Sequence, residues 1–134
     1  MNTVFRSRFF ACVLAFAFVL PLVGCTSKPA TGTVSGSVTY GDEPLTLGKI
    51  TFVIQDKGVG GSATLNEQGH FQISGDLPLG VYQVYFANSM KPGSLDPKDL
   101  ILTPVSTQYR AAATSGLTFE VKKGSNVAEF RLTK

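Results

Sequence analysis

Apolar and polar residues alternate along TVSGSVTY (residues 33–40), with Val34, Val38 and Tyr40 on one face and Thr33, Ser35, Ser37 and Thr39 on the other. A period of two marks a strand buried on one side. The turn GDEPL follows, punctuated by Gly41 and Pro44, residue types that set backbone reversals. GKITFVIQD (48–56) predicts a second strand that points Ile50, Phe52 and Ile54 inward and is broken by Gly58, Gly60 and Gly61. SATL and HFQIS, on either side of Asn66–Gly69, read as a hairpin. Gly69 is free to take the positive φ that such turns favour, and Phe71 and Ile73 face the core. VYQVYFA (81–87) puts Tyr82, Val84 and Phe86 on one face. GLTFEVKKG does the same with Leu117, Phe119 and Val121, and NVAEFRLTK with Ala128, Phe130 and Leu132, leaving Glu129, Arg131 and Thr133 to solvent.

Seven short strands, each with one apolar face, predict an all-β fold built as a two-sheet sandwich. The exception is the stretch from Asn88 to Ser115, which contains Pro92, Pro97 and Pro104 and has no steady period. It is expected to be a long crossover loop, either specialised or a passive connection. Its one local signal is DPKDLIL, where Asp96 is placed to cap a helical turn starting at Pro97. Tyr109 and Arg110 are its candidate contact residues.

The N-terminus has a different pattern. MNTVFRSR carries two arginines and no acid, and the next sixteen residues, FFACVLAFAFVLPLVG, carry no charge. A basic segment followed by a short apolar one is the layout of a secretory signal peptide. A spanning helix needs ~20 apolar residues, more than this run supplies, and Pro21 interrupts it. Leu22-Val23-Gly24-Cys25 resembles a bacterial lipobox. The Cys25 thiol is the group that accepts diacylglycerol as a thioether. The small Gly24 is what lipoprotein signal peptidase needs to cut between Gly24 and Cys25, after which the new α-amino group accepts a fatty acid such as palmitate. Two or three acyl chains anchor stably where one does not. The competing reading is an ordinary signal with an incidental cysteine. Cys12 is the only other cysteine and leaves with the signal, so that reading leaves one lone thiol in an oxidising compartment.

The expected organisation is a signal peptide at 1–24, a lipidated flexible tether at 25–32 and a β-sandwich domain at 33–134 with its crossover at 88–115. With Thr at position 26, sorting to the outer membrane is the expectation by analogy with enterobacterial lipoproteins.

Charge adds little. The chain of 134 residues has formal net charge +3, but without Arg6 and Arg8 the balance is ten basic against nine acidic residues. A nucleic-acid partner has no basic patch to bind.

The order Gly69-x-Phe71 and then Pro78-x-Gly80-x-Tyr82-x-Val84 resembles the turn-and-strand signature of carboxypeptidase regulatory-like domains. VSGSVTYGDEPLTLGKITFV resembles their first hairpin. TQYRAAATSGLTFEVKKGSNVAEFRL is similar to the C-terminal half of a group of short lipoproteins of planctomycete bacteria. The resemblance implies a transthyretin-like, seven-stranded Greek-key sandwich and an envelope location, and it implies no peptidase activity.

Candidate chemistry is sparse. His70 is the single histidine, on the outward phase of its strand, and no serine stands in a Gly-x-Ser-x-Gly setting. Asp42 with Glu43, or Asp96 with Asp99, supplies two carboxylates toward a calcium site that needs six to eight oxygens. GVGGS (58–62) lacks the lysine and helix of a phosphate loop and reads as a hairpin tip. Transthyretin-like hydrolases of hydroxyisourate use several histidines and a C-terminal Tyr-Arg-Gly-Ser, whereas this chain ends FRLTK. The expectation is a non-catalytic, cofactor-free and metal-free module held to the membrane through lipid on Cys25, binding or bracing envelope glycan or protein. Alternatives are a small-ligand carrier or sensor with a pocket in the sandwich, or a hydrolase on an unrecognised site.

Overall fold

A computed structural model describes residues 27–134; Gly24, Cys25 and the rest of the expected signal peptide lie outside the described residues. The architecture is all-β. Its strands are β1 (Thr31–Tyr40), β2 (Glu43–Pro44), β3 (Lys49–Ile54), β4 (Val59–Thr64), β5 (His70–Gln72), β6 (Leu77–Pro78), β7 (Gly80–Ala87), β8 (Ser89–Met90), β9 (Leu100–Ile101), β10 (Leu117–Val121) and β11 (Gly124–Leu132). A short α-helical turn, α1 (Ala112–Ser115), precedes β10, and three 3₁₀ turns lie in the connections among the described residues.

The longest strand, β1, organises one sheet. On one side it pairs with β11 in parallel, from Gly32↔Gly124 to Tyr40↔Leu132. On the other side β6, β5 and β2 pair with it in three short antiparallel pieces. The second sheet is antiparallel throughout, in the order β10-β7-β3-β4. The two sheets meet around Phe52 of β3. Its ring lies 5.9 Å from Phe71 and 6.0 Å from Phe130 of the first sheet, and 6.4 Å from Tyr82 and 5.9 Å from Phe119 of its own. Three of these contacts are edge-on, the arrangement that aromatic quadrupoles favour. The expected inward faces hold, with Val34, Val38, Ile50, Phe71, Val84, Phe86, Val121, Ala128 and Leu132 all buried.

Several local expectations are corrected. SATL and HFQIS do not form a hairpin, because β4 belongs to the second sheet and β5 to the first. The Asn66–Gly69 turn is instead a corner between sheets. Asn66 Oδ1 accepts from the N–H groups of Gln68 and His70, both at 2.9 Å. Gly69 sits at φ +72°, and a Cβ there would come within 2.7 Å of the Val38 carbonyl. The corner wins over the hairpin because β1 would otherwise leave a row of backbone groups unpaired. β1 and β3 likewise lie in different sheets, so the GDEPL turn returns only as far as β2.

Gly60 and Gly61 do not end a strand and form no hairpin tip; both lie within β4. A Cβ on Gly61 would press on Ile73 and Leu77, and one on Gly60 on the Phe52 carbonyl, so close packing explains these glycines. Strand β1 begins inside the stretch expected to be a tether, since Thr31 and Gly32 already pair with Pro78 and Leu77. Asn126 makes the last corner, from β10 to β11. Its Oδ1 accepts from the Lys122 N–H at 2.9 Å, and its Nδ2 donates to the Lys122 carbonyl at 2.7 Å.

Because β1 and β11 run the same way, β1 starts at one pole, beside Gly124, and β11 finishes at the other, beside Tyr40.

Candidate functional site

The crossover occupies that second pole, and it is ordered. It folds first into the β8–β9 pair, with Ser89 opposite Ile101 and Met90 opposite Leu100. Asp99 ties this hairpin together. One oxygen accepts from Lys91 Nζ at 2.6 Å and the other from Ser94 Oγ at 2.7 Å. The bond to Lys91 first, and that to Ser94 second, hold its carboxyl below the usual carboxylate range. The turn starting at Pro97 forms as the sequence predicts, a 3₁₀ turn capped by Asp96, whose carboxylate accepts from the Lys98 N–H at 2.9 Å.

The second half of the crossover sits on the core. Thr103 is fully buried, its N–H donating to Asn88 Oδ1 at 3.0 Å and its Oγ1 to the Leu47 carbonyl at 3.1 Å. The Tyr40 hydroxyl meets Ser106 Oγ at 3.0 Å. Of the two expected contact residues, Tyr109 is buried and Arg110 is exposed, and both hydrogen-bond within the chain. Tyr109 is a buried core side chain whose hydroxyl lies 3.0 Å from Thr133 Oγ1. Arg110 spends its guanidinium on main-chain carbonyls, Nη2 on Thr103 at 2.9 Å and Nε on Val105 at 3.3 Å. A connection crossing the end of a core must satisfy its own backbone, and these two residues help to do so.

What this pole presents outward is leucine. Leu95 is 95% exposed and Leu102 62%, with Leu100 and neighbouring Leu47 nearly half exposed. A single exposed leucine needs no explanation, but several around one pole make a surface. Sequence reasoning missed them because LDPKDLIL has no period to mark its apolar residues as outward. Beside this surface a cleft of about 340 Å³ is lined by Tyr40, Glu43, Pro44, Leu45, Pro104 and Lys134. Lys134 Nζ lies 3.7 Å from Glu43 and 5.9 Å from the Tyr40 ring centre.

His70 is exposed on the outer face of the first sheet, as expected. The register puts it opposite Ser37, which lies opposite Glu129 on its other side. Ser37 is therefore the middle of that row. A serine relay needs histidine between hydroxyl and acid, and this order is different. Asp96 and Asp99 are occupied as described, and among the described residues no three ligating side chains gather at one point. Between the sheets, Phe52 packs against Phe71 and Phe130 of the facing sheet.

Comparison with known proteins found no matching family model, no matching curated protein and no matching solved structure.

Proposed function

We propose that this protein is a lipid-anchored, non-catalytic module of the bacterial envelope, built as a transthyretin-like Greek-key sandwich of the carboxypeptidase regulatory-like kind. It is held by acyl chains on Cys25, with the outer membrane as its expected site. The observation that carries this reading is the polarity of β1. The strand begins at Thr31, six residues after the lipobox cysteine, and runs parallel to β11 to the pole where the crossover lies. The residues from Cys25 to Ala30 reach at most about 20 Å, so the domain stays close to the surface with its leucine-bearing pole directed away. Exposed leucines suit a protein partner better than a glycan, whose hydroxyls ask for hydrogen-bonding groups.

The test is the mass of the N-terminal peptide from the native membrane fraction. A peptide beginning at Cys25 and heavier by a diacylglyceryl group is the expected result. An unmodified Cys25 in the soluble fraction, or an intact Met1–Gly24 segment in the membrane, overturns the anchor.

A further inference from the structure

Among the described residues, β11 pairs on one side only, with β1. The direction of its remaining backbone groups follows from the bonds at its end. The Leu132 carbonyl accepts from the Gly41 N–H at 2.8 Å, so Leu132 faces β1, as do Phe130 and Ala128 before it. Backbone groups alternate sides along a strand, and Val127, Glu129 and Arg131 therefore aim theirs at the open edge. Thr133, next in that series, already donates its N–H to the Tyr109 hydroxyl at 3.2 Å, which closes the edge at the crossover end.

An open row of N–H and C=O groups is a template for another strand, which proteins usually blunt with charged side chains, lysine above all, or with proline or a bulge. β11 contains no lysine or proline, its nine pairs with β1 run without a bulge, and its only charges are Glu129 and Arg131, of opposite sign. Two charges select the partner. Glu129 and Arg131 stand exposed on the outer face, and neither joins an ion pair among the described residues. When two β11 strands pair antiparallel about a two-fold axis through Phe130, Glu129 of each copy falls opposite Arg131 of the other, and the ladder ends there, since Val127 would face the Thr133 that Tyr109 already holds. We propose that the β11 edge pairs with a second copy of this chain in that register, with Glu129 facing Arg131 twice across the axis. Opposite charges directly across an antiparallel pair attract, and like charges there repel. The inference is independent of the anchor on Cys25.

Sedimentation of the full chain in density-matched detergent tests this. The wild-type chain is expected to form dimers at concentrations up to about 100 µM. Glu129→Arg and Arg131→Glu each set like charges opposite one another twice, and each is expected to weaken dimerisation roughly tenfold or more. The double exchange Glu129→Arg with Arg131→Glu is expected to restore it. Both side chains face solvent, so unchanged circular dichroism separates lost pairing from lost folding. A wild-type chain that stays monomeric, single variants that pair like wild type, or a folded double exchange that does not recover pairing overturns the proposal.

Discussion

The Tyr109 hydroxyl lies 3.0 Å from Thr133 Oγ1 and 3.2 Å from the Thr133 backbone N–H, tying the crossover to the end of the last strand. Tyr109→Phe keeps the ring in the core and removes these bonds. One net hydrogen bond is worth about 1 kcal/mol, and an unpartnered donor adds to the loss. The variant is expected to lose about 1–2 kcal/mol in urea unfolding, or roughly 5–10 °C of melting temperature. A variant as stable as wild type would show that the tie contributes nothing.

Asp99 gives the crossover an acid sensitivity. A carboxyl whose folded pKa is depressed contributes stability above its unfolded value, and that contribution fades as pH falls through the folded value. Below roughly pH 4 the β8–β9 hairpin is expected to loosen. Hydrogen exchange, corrected for intrinsic rates, reads this at the amides of Lys91 and Ser94, which donate within the hairpin. Asp99→Asn is expected to remove the acid response. If that variant loosens on acidification as wild type does, other carboxylates are responsible.

Tyr82 works at the opposite end of the pH scale. Its hydroxyl donates to the Pro78 carbonyl at 2.8 Å, and burial raises its pKa above the ordinary tyrosine value. A raised folded value means that its contribution is complete below the unfolded pKa, about 10, and declines as pH rises through the folded one. Stability is therefore expected to fall above about pH 10, and Tyr82→Phe to flatten that fall while costing about 1 kcal/mol at neutral pH. Parallel alkaline slopes for the two proteins would assign the effect to another group.

Gly36 lies between Ala128 and Phe71 in the first sheet. A Cβ there would land on the Ala128 backbone, which has no rotamer in which to move aside. Gly36→Ala is expected to destabilise by more than about 3 kcal/mol, in the range of the strongest single substitutions. Gly58→Ala is the control for space, because a Cβ there meets nothing within 4 Å. Its cost is limited to the left-handed φ of +61°, about 1 kcal/mol.

The strands were legible because alternation reports burial directly. Ile50 and Phe52, or Ala128 and Phe130, face the core where a period of two puts them. Strand partners were not legible. Alternation says which face is buried and nothing about which edge is paired, so β4 and β5 read as a hairpin although they part into two sheets. The parallel contact of β1 with β11 joins residues 92 apart in the chain, and no local signal reports it. The signature Pro78-x-Gly80-x-Tyr82 gains a physical reason, since it sets a hydroxyl on the carbonyl four residues earlier. Tyr109 and Arg110 stand in the sequence as contact candidates, but their hydrogen bonds go to Thr133, Thr103 and Val105, which only the fold brings near.

The parallel β1–β11 ladder also decides how the domain bears a load. A pull between Thr31 and Lys134 acts at opposite ends of two neighbouring strands, along their length. Nine residue pairs then resist in shear, their hydrogen bonds straining together rather than opening one after another. A domain pulled in that direction resists as a clamp, whereas a pull across the strands would open it like a zipper.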